Sequence, residues 1–191
     1  MASQPHRYVT PEEYLTLERQ AETRSEYLDG VIVAMAGASL SHILITGNLY
    51  YTLRSQLRGR SCSTYSGDMR VKIPAHNLYT YPDLVVVCGE PRFEATELAN
   101  LLNPTLIIEV LSDSTANYDR GKKFAFYRTL PSLREYLLVA QDEYRIDYYR
   151  READGNWFIG DAHGRDASLA LTTGDCILDL AAIYEGVDLL G

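Results

Sequence analysis

The sequence predicts an α/β fold, more narrowly an α+β arrangement in which helices flank a central mixed sheet. Two observations carry this. Apolar runs of strand length recur through the middle and late chain, at 81–88, 105–111 and Glu135–Val139. Capped helical patterns fall on both sides of them. The 191 residues suffice for one domain with a buried core, and no linker, repeat or low-complexity tract divides 1–191.

Each element has its own signal. Residues 1–9 read as a lead-in. Thr10-Pro11-Glu12-Glu13 starts a helix over 11–22: Thr as N-cap, Pro at the first helical position, Glu closing a capping box. Ser25–Leu28 and 31–36, joined by Asp29-Gly30, form a hairpin with a type I′ turn. After a small-residue break at 37–41, residues 40–58 form an amphipathic helix with Ile43, Leu44, Leu49, Leu53 and Leu57 on its apolar side. Between 62 and 74 two short strands meet at Ser66-Gly67-Asp68, and 76–79 is a loop. Residues 81–88 and 105–111 are strands, with loop and a short helix over 94–102 between them. The polar break 112–117 leads into a helix over 118–129 that stops before Pro131. Late strands at Glu135–Val139, 145–149 and 157–159 precede a short helical piece at 180–184.

Composition narrows the function classes. The net charge of −8 argues against a surface built for non-specific nucleic-acid binding, yet carboxylates that hold a metal add negative charge of their own. The three cysteines, Cys62, Cys88 and Cys176, are scattered, so a disulfide framework is not expected and Cys88 and Cys176 read as buried thiols. No signal-peptide core and no apolar run of about 18 residues is present, which predicts a cytoplasmic chain without a membrane partner. Tyrosine outnumbers phenylalanine 15 to 4, which suits half-wet strands and interfaces.

Two acids interrupt apolar strands: Asp83 in Tyr81-Pro82-Asp83-Leu84-Val85-Val86-Val87, and Glu109 in Leu106-Ile107-Ile108-Glu109-Val110-Leu111. A carboxylate in such a place is costly unless a cation or hydrogen bonds compensate it. Asp83 either caps a strand end or holds a metal. Glu109 is either half of an interior ion pair or part of a site. Convergence of the two would offer hard oxygen ligands suited to Mg²⁺, with Mn²⁺ accepted in its place. Such an ion would polarise a phosphate and activate water, and a lysine nearby would stabilise the developing charge. His6, His76 and His163 show no zinc spacing.

Pro82-Asp83 followed by Glu109 resembles the skeleton of the PD-(D/E)XK nuclease fold. More narrowly, the chain resembles the Uma-two family of restriction-endonuclease-like proteins. The stretches that carry this are Ser25-Glu26-Tyr27-Leu28-Asp29-Gly30, Ser41-His42-Ile43, Tyr81 through Val87, Ile108-Glu109-Val110-Leu111-Ser112, Asp119 through Lys123 to Tyr127, and Arg134-Glu135-Tyr136, over roughly 8–185. The resemblance implies a restriction-endonuclease-like core with its acids at one end of adjacent strands. It implies a Mg²⁺-dependent endonuclease acting on DNA rather than RNA, working as a homodimer. Asp83 and Glu109 match its metal-binding acids. Its usual lysine, two residues after Glu109, is here Leu111. Lys123 on the following helix takes that role by resemblance, against the bland alternative of an exposed pair with Asp119. Lys122 is the reserve.

Further candidates follow. Glu26 matches an early acid of the family, as a metal or water ligand, or is an exposed strand residue. Asp68 is a third metal ligand or a turn-former. His42 contacts substrate or makes one structural hydrogen bond. Arg54, Arg58 and Arg60, with Arg120, Lys122, Lys123 and Arg128, form the expected DNA-binding groove or solvated helix faces. Tyr50, Tyr51, Tyr148 and Tyr149 are expected dimer contacts. The competing function is a nuclease-fold binding or scaffold protein without turnover, favoured by Leu111 and the acidic charge.

Overall fold

The computed structural model describes residues 7–35, 37–96, 98–112 and 115–189. Residues 1–6 of the expected lead-in, Ala36 at the end of the hairpin and residues 113 and 114 of the polar break lie outside them.

The first helix forms as its sequence requires. In α1 (Pro11–Gln20) the Thr10 side chain accepts from the Glu13 amide, and the Glu13 carboxylate accepts from the Thr10 amide at 3.0 Å. Strands β1 (Ser25–Leu28) and β2 (Val31–Ala34) then pair through Asp29 and Gly30. Both turn residues have positive φ, 41° and 94°, as a type I′ turn demands. Helix α2 (Leu40–Gln56) is N-capped by Ser39. Its buried side is Ile45, Leu49, Leu53 and Leu57, one residue per turn; Ile43, expected inside, is exposed. The helix carries branched apolar residues on more than one face, so periodicity alone could not choose between them.

The strands form two sheets rather than one. Strands β3 (Cys62–Ser66), β6 (Leu84–Cys88), β8 (Leu106–Val110), β9 (Glu135–Val139), β10 (Arg145–Arg151) and β11 (Trp157–His163) build a six-stranded sheet, antiparallel except where β8 runs parallel to β9. Strands β4 (Arg70–Ile73), β5 (Leu78–Thr80) and β7 (Asn100–Leu101) join β1 and β2 in a five-stranded sheet. The turn at Ser66-Gly67-Asp68 therefore carries the chain from one sheet to the other, not around a hairpin. The expected loop at 76–79 contains part of β5, and the expected helix over 94–102 is replaced, among the described residues, by β7 and bends. A further hairpin, β12 (Ser168–Ala170) with β13 (Ile177–Asp179), precedes α5 (Leu180–Ile183).

Alternation along the central strands divides the core. Leu84, Val86, Leu106, Ile108 and Val110 pack with α2 and the β12–β13 hairpin, whereas Val85, Val87, Ile107 and Leu111 pack with Val71, Ile73, Tyr127 and Tyr136. Both faces of β6 and β8 are thus covered, which explains their continuous apolar runs. Tyr149 belongs to this second layer, against Phe124 and Tyr136, and is buried rather than available for a dimer contact.

The expected 118–129 helix is composite: α3 (Ala116–Tyr118), a π-helical turn (Asp119–Lys123) and α4 (Phe124–Tyr127). The Asp119 carbonyl accepts a hydrogen bond from the Tyr136 hydroxyl at 3.2 Å.

Cys62 and Cys88 form a disulfide, against the expectation of separate thiols. They are directly opposite one another in the β3–β6 ladder, and that register is not visible in their sequence spacing. Cys176 is a buried thiol. Among the described residues no helix is long and apolar enough to cross a membrane.

Candidate active site

The β6–β8 register pairs Leu84 with Ile108. Continuing it by one pair sets Asp83 across from Glu109, at the end of the sheet where β6 begins. The Asp83 carboxylate accepts from the Val110 amide at 2.7 Å, a bond that ties the start of β6 to β8. Its other oxygen lies 3.1 Å from His42 Nε2, in the first turn of α2. That contact raises the His42 pKa, against the opposing effect of partial burial.

Glu109 projects toward the second core layer, where the composite helix meets it. Lys123 is buried, with Nζ 2.9 Å from Glu109, 3.4 Å from Glu26 and 3.7 Å from Asp119. The exposed Lys123–Asp119 pair expected as the bland alternative is therefore not what forms. The π turn puts Asp119 and Lys123 on one buried face, and Lys122 faces solvent beside the Phe126 ring. Leu111, at the position of the usual lysine, packs in the core. Glu26 reaches the cluster from β1 in the other sheet and accepts from the Thr80 hydroxyl. The Tyr127 hydroxyl donates to Glu109 at 2.8 Å.

The structure thus brings together Asp83, Glu109, Lys123, Glu26 and His42 of the expected residues. Asp68 is not among them: its carboxylate is largely exposed and paired with Arg24. Asp119, Thr80 and Tyr127 were given no site role from sequence. Asp119 and Tyr127 stand four residues to either side of Lys123, which is the signal that could have found them.

Burial pushes the Glu109 carboxyl up to about 8, outweighing the pull of Lys123, with Asp83 and Asp119 adding to the rise. Burial also raises Asp119. Burial lowers Lys123, but Glu109, Glu26 and Asp119 outweigh it and hold the ammonium well above its ordinary value. The raised acids bind protons more tightly folded than unfolded. Their stabilisation is complete below the unfolded value, 4.5 for Glu109, and disappears as pH climbs through about 8. Metal-free protein is therefore expected to lose stability, on the order of a few kcal/mol, between about pH 5 and about pH 8. Urea unfolding with chelator at the two pH values reads this directly; a midpoint that rises with pH contradicts it.

Four carboxylates face one lysine and one histidine here. Such an oxygen-rich set with surplus negative charge suits Mg²⁺ or Mn²⁺ in its chemistry. Among the described residues no three acid, histidine or cysteine side chains stand in ligating positions, and the Lys123 ammonium lies between three of the acids.

The expected basic groove does not assemble around this site. Arg54 is 12 residues past His42 along α2, so it lies about 18 Å from it at the rise of a helix, and Arg58 follows the end of α2. Arg60 contacts Gly174 and Asp175, and Arg120 is paired with Asp147 at 3.2 Å.

Comparison with known proteins agrees with this architecture. A protein of Synechocystis, sll1609, is 40% identical over 161 residues, which is 84% of this chain and 91% of that protein. A second, slr1290, is 36% identical over 185 residues, or 97% of this chain and 96% of that one. Both are named as uncharacterized. The crystal structure of a "putative nuclease belonging to DUF820" from Anabaena variabilis matches with a TM-score of 0.74, covering 93% of this chain and 98% of that one at 19% identity; it shares the fold. The family model Uma2, "Putative restriction endonuclease", matches residues 11–178. The chain belongs to the Uma2 (Uma-two) family and has the mixed-sheet, restriction-endonuclease-like fold that its sequence led us to expect.

Proposed function

We propose that this protein is a Mg²⁺-dependent nuclease that hydrolyses phosphodiester bonds in DNA, with Mn²⁺ able to replace Mg²⁺. The observation that carries this reading is Lys123 buried 2.9 Å from Glu109, although the usual lysine position holds Leu111. Asp83 and Glu109 are the metal ligands. The ion supplies a polarised phosphate and a more acidic water. Lys123 stabilises negative charge that develops on the phosphate. Glu26 and Asp119 hold the lysine ammonium in place, and Glu26 accepts a proton or orients water at the same site. His42, whose Nε2 touches Asp83, reaches the substrate from the start of α2, and Lys122 gives the phosphate backbone a charge at the rim. The family membership and the named fold neighbour support the nuclease class.

The assay is metal-dependent cleavage of plasmid and single-stranded substrates beside Asp83→Asn and Glu109→Gln. Loss in both variants supports the reading; cleavage that persists in both sinks it. One observation favours the competing scaffold reading: Glu109 already has a cation partner. Under that reading, no metal dependence of any kind appears. We further propose a cytoplasmic homodimer, formed through the α2 face that exposes Leu40, Ile43 and Tyr51. Sedimentation that finds only monomer at micromolar concentration counts against the dimer.

A further inference from the structure

The Cys62–Cys88 bond lies at the opposite end of β6 from Asp83. It joins the start of β3, the outermost strand of the six-stranded sheet, to the last residue of β6. Both cysteines are half-buried, and their neighbours Ser61 and Gly89 are exposed. A dithiol in solution can therefore reach the bond. The fold does not depend on it. Residues Cys62 to Ser66 pair one by one with Cys88 to Leu84, both faces of β6 are covered, and the core is that of a full-sized domain. When the bond opens, the ladder keeps the two thiols opposite each other and ready to close again.

A third sulfur lies beside them. The Sγ atoms of Cys62 and Cys176 both fall within 3.8 Å of the point where a side chain on Gly174 would begin. Arg60 donates to the Gly174 carbonyl and so brings a cation into that neighbourhood, which favours a thiolate on half-buried Cys62. Burial pushes the Cys176 thiol up, so it stays protonated and does not compete for the bond.

We infer that Cys62 and Cys88 form a reversible redox site, opened by a dithiol reductant and closed again in the folded protein, which sets whether the outer end of β3 is tethered. In the opening step a reductant thiolate bonds to Cys88 Sγ, the S–S bond breaks and its electron pair leaves on Cys62, which takes up a proton. The second reductant thiolate bonds to the first reductant sulfur and releases Cys88, which is protonated in turn. The dithiol becomes a disulfide, and two electrons pass to the cysteine pair. In a cytoplasm, where we propose this chain resides, disulfides are characteristically transient rather than structural. In the oxidised state β3, and the turns at 57–61 that lead into it from α2, are fastened to β6. In the reduced state the ladder alone holds that end, beginning with the bond from the Gly89 amide to the Ser61 carbonyl at 2.6 Å. None of this requires the proposed metal.

The test treats the full chain, without denaturant, with dithiothreitol and then with oxidised dithiothreitol. Alkylation and peptide mass spectrometry at each stage place the free thiols. Dithiothreitol is expected to free Cys62 and Cys88 with no loss of circular-dichroism signal, and its oxidised form to restore the same bond. Hydrogen exchange at the Gly89 amide should rise about 10-fold or more on reduction. The Leu111 amide, bonded to the Val139 carbonyl in the core, should keep its rate. Cys88→Ser should show the fast Gly89 rate with and without dithiothreitol; if it does not fold, the wild-type measurements decide. A bond that yields only in urea is a static staple and overturns the inference. So do thiols that do not reclose, a reclosed bridge between Cys62 and Cys176, or a Gly89 rate that ignores the redox state.

Discussion

Lys123→Met is expected to destabilise the metal-free protein by about 3–5 kcal/mol at about pH 9, where Glu109 is ionised, because it leaves buried carboxylates without their cation. The lysine stands within 3.7 Å of Glu109, Glu26 and Asp119. Methionine has nearly the same reach and no charge, so the loss is electrostatic rather than a cavity. The deficit should shrink as pH falls through about 8, where burial gives Glu109 its proton and it no longer requires a partner; burial raises Asp119 in the same direction. Saturating Mn²⁺ should also recover part of it, since a divalent ion supplies the missing positive charge. Urea unfolding above and below about pH 8, with chelator and with Mn²⁺, measures all three effects. A variant as stable as wild type at about pH 9 means the cluster is not charge-limited.

Asp83→Asn and Glu109→Gln are expected to reduce cleavage by at least about 1000-fold, the equivalent of several kcal/mol of lost transition-state stabilisation. Both should also abolish any rise in melting temperature on adding Mg²⁺. The metal-free stabilities separate these effects from misfolding. Glu109→Gln mimics the protonated acid that burial favours, so it should fold at least as well as wild type near pH 8 and flatten the pH dependence. Asp83→Asn keeps an oxygen that can accept from the Val110 amide and should be mildly destabilising. A Glu109→Gln protein that cleaves normally would falsify the assignment of the ligand.

What could be read in advance divides along a physical line. Asp83 and Glu109 stood out because a charge inside an apolar strand is visible locally, and α1 and the β1–β2 turn were visible because caps and turn residues act over four positions. Lys123 came from family resemblance alone, with no local signal to mark it as buried. Thr80 gave no sign, because it meets Glu26 only through the pairing of β1 with β5, and Tyr127 was marked only by its place four residues after Lys123. The Cys62–Cys88 bond was missed for the same reason: it depends on the register of two strands. The basic groove failed because Arg54 is charged like a binding surface but sits turns away from His42 along α2, with Arg58 beyond the helix end. Ile43 and Tyr149 were placed on the wrong sides, exposed for one and buried for the other, because both lie in stretches rich enough in apolar residues to offer more than one face.

The most direct measurement is an anomalous-scattering map from crystals of the intact chain equilibrated with saturating Mn²⁺. A Mn²⁺ peak bonded to carboxylate oxygens of both Asp83 and Glu109, with the Lys123 ammonium moved off Glu109, is the predicted result. An empty map there, with Lys123 still 2.9 Å from Glu109, would show that the lysine is the permanent counter-ion and that the acids do not serve a metal.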